Sequence, residues 1–137
     1  IQSRRGRVLT EMGRLEEARK AFVEARRLFA ETLGLEHAST WQATAGLALA
    51  DFRSGNVGAA EPLFRRILTS AGYTAPVNRA RRAEADLLCG LFLAESGRPA
   101  EARPLLEGAR AVLATRPESA SDQHRAERAL AELPEDS

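Results

Sequence analysis

Cysteine occurs once in the chain, at Cys89, and lysine once, at Lys20; tryptophan, tyrosine and methionine are also single. One cysteine excludes an internal disulfide framework and suits a reducing, cytoplasmic compartment. No apolar run approaches the roughly 20 residues that span a bilayer, and no secretory leader is recognisable, so no membrane role is expected. Charge of one sign is missing too: twenty basic residues face nineteen acidic ones. That balance speaks against a dedicated nucleic-acid surface or a polybasic anchor. Catalytic vocabulary is equally short. There is no glycine-rich phosphate loop, no metal-spaced Cys/His set and no nucleophile beside a plausible base, so no enzyme, cofactor or metal is expected.

What the chain has is alanine, leucine, arginine and glutamate, a mixture that favours helix in nearly every window. With Lys20 the lone lysine, the arginine bias reads as the coding habit of a G+C-rich bacterial genome. At 137 residues the chain is long enough for one domain with a real core.

It also repeats itself. Gly13-Arg14-Leu15-Glu16-Glu17-Ala18-Arg19 returns as Gly97-Arg98-Pro99-Ala100-Glu101-Ala102-Arg103, with five of seven residues identical. Midway lies Gly55-Asn56-Val57-Gly58-Ala59-Ala60-Glu61, which keeps the glycine and the later alanine. The period is 42 residues, and a repeat of that length implies stacked structural units. Three units are expected, over about 1–36, 37–78 and 79–117, with a capping helix over about 119–133.

Each unit reads as a helical hairpin. Helices are predicted from Gln2 to Met12 and from Glu16 to Leu33. A third, capped by Ser39 or Thr40, runs to Arg53, and a fourth is capped by Asn56. Two more run from Arg79 to Glu95 and from Pro99 to Ala114. Ser119 or Ser121 caps a seventh that runs to Leu133. Leu15, Ala18, Ala21, Phe22, Ala25, Leu28 and Phe29 fall at intervals of three and four, one apolar stripe. Gly13, Gly55 and Gly97 supply the left-handed turns. Pro62 and Pro104, one period apart, remove one backbone hydrogen bond each and should bend their helices slightly. Ser70 to Asn78 is the loosest segment, with Tyr73 expected over a seam.

Stepping by 42, Gly6, Ala48 and Gly90 are small, as are Ala18, Ala60 and Ala102, while Phe22, Phe64 and Leu106 are bulky. Small positions let helices approach and bulky ones fill the layer between them. Asp51, standing between Leu9 and Leu93 in this series, is a misfit. Either it is solvated, with Phe52 packing in its place, or it is a functional carboxylate.

A small residue, turn glycine, alanine, aromatic, then small residue across a helix–turn–helix resembles the tetratricopeptide repeat. Here the positions are Gly6, Gly13, Ala18, Phe22 and Ala25, then Ala48, Gly55, Ala60, Phe64 and Ile67, then Gly90, Gly97, Ala102, Leu106 and Ala109. The 42-residue length resembles the kinesin-light-chain-like branch of that family, abundant in bacteria, whose repeats are linked by Leu-Gly-x-x-His-x-x-Thr. Leu33-Gly34-Leu35-Glu36-His37-Ala38-Ser39-Thr40 matches that linker, although Ala38 stands where the family usually has proline. Ala60 to Arg66 is similar to its second-helix signature. The resemblance implies an all-α, right-handed α-solenoid of three repeats plus the C-terminal capping helix. It also implies a protein or peptide partner held in the concave groove lined by the first helices. Paired asparagines, frequent in such grooves, are absent from the matching positions Ser3-Arg4, Ala45-Gly46 and Leu87-Leu88. The linker at 75–79 has lost the motif.

The groove-lining positions are Arg7 and Glu11, then Gln42, Ala45, Leu49, Phe52 and Arg53, then Glu84, Leu87, Leu91 and Glu95. Apolar centres with charged edges suit an amphipathic helix or an extended peptide with apolar anchors. The alternative is that Leu49, Leu87 and Leu91 pack within the array itself. Other candidates have blander readings beside the functional one. His37 reads as a helix-start hydrogen-bonding residue more than a ligand or base, and His124 as a surface residue of the last helix. Cys89 reads as a buried small side chain, and Trp41 as a shield between repeats. Arg4-Arg5-Arg7, Arg65-Arg66 and Arg79-Arg81-Arg82 have acidic neighbours and no interleaved aromatics, so they read as solvated faces and not as an RNA surface.

The chain opens at Ile1 already in helical register and is expected to be a piece of something larger. Its first hairpin would then be bare around Val8, Leu28 and Phe29, and a homodimer through that end is expected. The function expected is a protein-interaction scaffold. The alternative, by resemblance to arrays attached to serine/threonine kinases and transcriptional regulators, is a regulatory or sensor segment.

Overall fold

In a computed structural model that describes residues 2–35, 37–69 and 82–134, with side chains from Arg5 onward, the described residues are helical and contain no strand. The helices are α1 (Gln2–Glu11), α2 (Leu15–Leu33), α3 (Ala38–Arg53), α4 (Val57–Leu68), α5 (Ala83–Glu95), α6 (Pro99–Leu113) and α7 (Ala120–Glu132). A short 3-10 turn, Pro117–Ser119, precedes α7. The expectations placed on Ser70 to Asn78, on Tyr73 and on Arg79 and Arg81 lie outside the described residues.

The chain forms two compact units, residues 1–78 and 79–137. In the first, α2 packs on α1 and α3, and α4 closes on α3. In the second, α6 packs on α5 and on α7, and α7 also touches α5. The first unit therefore stacks two hairpins, and the second stacks one hairpin against a further first helix.

The turn that makes each hairpin is the same object three times over. Gly13, Gly55 and Gly97 have φ of 79°, 92° and 80°, a left-handed conformation that costs any L side chain about 1–2 kcal/mol. After them, the N–H groups of Arg14, Asn56 and Arg98 donate to the carbonyls of Leu9, Asp51 and Leu93 at 2.8–2.9 Å. The glycine N–H groups donate to Thr10, Phe52 and Ala94 at 3.0–3.3 Å. This is the Schellman pattern, which satisfies carbonyls that a helix end would otherwise leave bare. The next helix starts at once: Ala18, Ala60 and Ala102 donate to the carbonyls of Arg14, Asn56 and Arg98. Pro99 takes the first position of α6, where a missing N–H costs nothing. Pro62 and Pro104 lie inside α4 and α6, which continue past them.

Helix starts depart from expectation in detail. The cap of α3 is His37, not Ser39 or Thr40. The backbone is extended at His37 and helical from Ala38, so His37 Nδ1 is the group in reach, accepting the Ser39 N–H at 3.1 Å. The Thr40 hydroxyl instead reaches back and donates to the Gly34 carbonyl at 2.8 Å. The glycine, histidine and threonine of the linker motif thus each have a job in one tight connection. Asn56 stands at the start of α4 without a side-chain cap, its carbonyl alone receiving the helix N–H groups. Ser119 likewise precedes α7 without a side-chain bond.

Packing follows the bulky-into-small series. The Phe22 ring is 1% exposed and lies over Gly6, where an added Cβ would come within 2.9 Å of it. On its other side is Gly46, where a methyl would overlap the ring outright. One period apart from Phe22 twice over, Leu106 sits on Gly90, leaving 2.7 Å for a Cβ. Leu9, Ala18, Leu47 and Ala50 complete the cluster around Phe22, with Leu63 against it. Full burial of such a ring contributes about 1.5–3 kcal/mol by transfer alone.

First and second helices differ in how much they hide. On α2, α4 and α6 only one stripe is buried, Ala60, Phe64 and Ile67 on α4 for example. On α3 every residue from Thr40 to Asp51 except Gln42 is buried, and on α5 every residue from Ala83 to Leu93 except Glu84. A helix apolar on all sides is an interior helix.

Two stability tests follow. Phe22→Ala should cost about 3–5 kcal/mol in urea unfolding, and Gly46→Ala about 1–3 kcal/mol. The double variant should lose less than the two together, because the methyl then enters the space the ring vacates. Separately, alanine at Gly13, Gly55 or Gly97 should cost a similar ~1–2 kcal/mol each. Unequal costs would show that the three turns are not equivalent.

Candidate functional site

The first helices carry the residues expected to line a groove, and the structure sorts them into two sets. Ala45, Leu49 and Leu87 are 0%, 1% and 0% exposed, closed to any partner by the chain itself. Arg7, Gln42, Phe52, Arg53 and Glu84 are half-buried, while Glu11 and Glu95 are exposed. Leu91, at 9%, sits at the boundary. Thr10, on the same face of α1 as Arg7 and Glu11, turns inward and donates to the Gly6 carbonyl at 2.8 Å.

In the first unit the accessible members meet. Arg53 Nη1, from the last turn of α3, lies 3.7 Å from Glu11 Oε1 at the end of α1. Both helices also end here, and their carbonyl termini favour a cation such as Arg53.

In the second unit a cleft of about 350 Å³ opens where α5 and α7 end. Its apolar lining comes from Leu91, Ala94, Ala129 and Leu133, and Glu95 and Glu132 bring carboxylates to it. The α7 members were not expected to matter, since that helix reads as a cap. A signal was available: Leu133 lies two periods beyond Leu49 and one beyond Leu91, so α7 occupies the place of another first helix.

Asp51 proves to be neither solvated nor offered to a ligand. It is 2% exposed and accepts a hydrogen bond from Arg19 Nε at 2.9 Å, an ion pair between α3 and α2. A second contact lies two turns along, where Arg26 Nε donates to the Thr44 hydroxyl at 3.1 Å. Burial, and then the neighbouring Arg66 guanidinium, lower the Arg26 pKa from the usual arginine value. The position that carries leucine at Leu9 and Leu93 is therefore polar at Asp51 because α2 presents an arginine to it.

The remaining candidates fall to structural roles. Cys89 is fully buried, Trp41 is 4% exposed in α3, and His124 is on the exposed side of α7. Arg82 pairs with Asp86 at 3.2 Å, and Arg65 and Arg66 are exposed. Val8 and Leu28, expected to be bare at the first hairpin, are 52% and 41% exposed, while Phe29 is half-buried. Among the described residues, no three His, Cys, Asp or Glu side chains are placed to hold a metal, and no helix is long and apolar enough to cross a membrane.

Helical hairpins closed by a left-handed glycine, with an aromatic set into a small residue, define a helical-repeat protein. A family model described as tetratricopeptide repeat matches residues 1–71, just over half of the chain, and the chain belongs to that family. Repeats of this family are in general protein–protein interaction modules and are typically without catalytic activity. No match was found to a curated protein or to a solved structure.

The Asp51 pair has an asymmetric prediction. Arg19→Ala strands a buried carboxylate and should cost about 1–3 kcal/mol, less than a fully buried pair because water still reaches Arg19. Asp51→Leu restores the residue type found at Leu9 and Leu93 and should be neutral or stabilising. Urea midpoints of the two variants decide it, and an equal loss in both would refute the structural role.

Proposed function

We propose that the chain is a protein-interaction module that holds a peptide or partner domain against its first helices. The observation that carries this reading is the partly open face on α3. Gln42, Phe52 and Arg53 remain half-exposed on a helix whose other residues are almost all buried. Amphipathic residues held half-open on a rigid, buried helix present a surface at low ordering cost, because the backbone beneath them is already fixed. Arg7 and Glu11 extend this surface onto α1, and Glu84 and Glu95 give the second unit its own accessible set. A mixed face of one aromatic, a guanidinium and carboxylates suits a peptide with both apolar and charged residues.

The test starts from peptides selected out of a displayed random library on the intact chain. Arg53→Gln combined with Gln42→Ala should weaken selected peptides at least tenfold while leaving the urea midpoint within about 1 kcal/mol, as expected of non-core positions. Leu49 is unsuitable for this test, because its burial makes any substitution a stability change. Undiminished binding by the double variant would remove α3 from the contact surface.

A further inference from the structure

Arg14, Arg19, Arg27 and Arg53 of the first unit each sit beside a carboxylate. Arg26 and Arg66 do not. Among the described residues, the Arg26 guanidinium has its one hydrogen bond to the Thr44 hydroxyl, at 3.1 Å, and Arg66 makes no ion pair. The carboxylates around them are engaged elsewhere: Glu24 and Glu31 by Arg27, and Asp51 by Arg19, while Glu61 on α4 has a partner of its own.

The packing brings these two cations together. Arg19 meets Asp51 and Arg26 meets Thr44, so α3 runs antiparallel to α2. The turn at Gly55 reverses the chain again, and α4 therefore runs parallel to α2. Leu63 of α4 packs against the cluster that holds Ala18 and Phe22 of α2. One turn further along, Arg66 follows Leu63 and Arg26 follows Phe22. The Arg26 guanidinium registers its neighbour: its pKa is lowered first by burial and then by the Arg66 charge. Arg27, the next residue but turned to solvent, is moved the opposite way by its hydrogen bond to Glu24.

Two like charges held at one place repel unless something of opposite sign lies between them. The carbonyl end of α4 favours Arg66 where it stands, and the bond to Thr44 fixes Arg26, but neither supplies an anion. A guanidinium presents paired donors in a fork that matches phosphate oxygens, and two forks from different helices can share one phosphate.

We propose that Arg26 and Arg66 together bind a phosphate group between the second helices of the first unit. The ligand is a doubly charged tetrahedral oxyanion, either free phosphate or the phosphate of a modified serine. The site lies on α2 and α4, apart from the α1 and α3 residues of the interaction surface, and does not depend on that reading.

The test is an NMR titration of the intact ¹⁵N-labelled chain with inorganic phosphate, at constant ionic strength set with chloride and above neutral pH, where phosphate is mostly doubly charged. The Nε–H signal of Arg26 and the backbone amides of Arg26 and Arg66 should shift and saturate. Arg66→Gln, at an exposed position, should weaken binding at least fivefold. Arg65→Gln removes the same charge about 100° round the helix and should weaken it less than twofold. In low-salt chloride, Arg66→Gln should have the higher thermal midpoint of the two variants, because it relieves the repulsion on Arg26. Phosphate should raise the midpoint of the parent and of Arg65→Gln, but not that of Arg66→Gln. Acetyl-Gly-phosphoserine-Gly-amide separates the sources: binding tighter than inorganic phosphate assigns the site to a phosphorylated chain, and weaker binding assigns it to free phosphate. Equal losses in the two variants, or shifts that avoid Arg26 and Arg66 or fail to saturate, overturn the proposal. Library peptides held by α3 should bind Arg66→Gln as well as the parent, so the two readings fail separately.

Discussion

A single steric fit governs this structure: a bulky side chain from a second helix seated where a first helix has no side chain. Phe22 between Gly6 and Gly46, and Leu106 on Gly90, set how closely the helices approach. Everything else adjusts to that distance. The alanines at Ala18, Ala60 and Ala102 are buried because only a methyl fits once the helices have closed. The turn glycines have to reverse the chain within two residues so that the bulky position arrives opposite the small one.

That closeness also determines what surface remains. Helices drawn together over glycine and alanine leave little room on their flanks. The first helices α3 and α5 are accordingly buried almost all round, and Leu49 and Leu87 lie inside. Accessible chemistry survives at helix ends and at isolated polar positions: Gln42, Arg53 and Glu11 in the first unit, Glu95 and Glu132 in the second. The accessible charge of the first helices is thereby confined to corners, where it coincides with helix termini.

Much of this was legible in the residues. The period, the hairpins and the left-handed glycines all follow from spacing, because each rests on local geometry that a single residue type enforces. The linker was legible as a motif but not in its mechanism; that His37 caps while Thr40 reaches back to Gly34 depends on where the helix begins, a matter of one residue. The face of α5 was harder. Leu87 and Leu91, like Leu49 on α3, read equally as a partner's anchors or as interior packing, and local sequence holds no information on what lies across from them. Asp51 was misread as solvated or functional for the same reason. Its partner Arg19 is 32 residues away, beyond any periodic signal. The role of α7 in the cleft was missed because its charged residues suggest a cap, although Leu133 keeps the period.

The two polar contacts between α2 and α3 have a consequence for assembly. Chains built from near-copies risk joining the wrong neighbours as they fold, since any second helix resembles the proper mate of any first helix. Arg19 and Arg26 are spaced to meet Asp51 and Thr44 on α3. On α5 the same two places hold Leu93 and Asp86, so a swapped pairing would press Arg19 against leucine while offering Arg26 a carboxylate. On α4 the places of the two arginines are taken by Glu61 and Leu68. The pair therefore tells α2 from α4 as the mate of α3, but not from α6, where Arg103 and Arg110 repeat it.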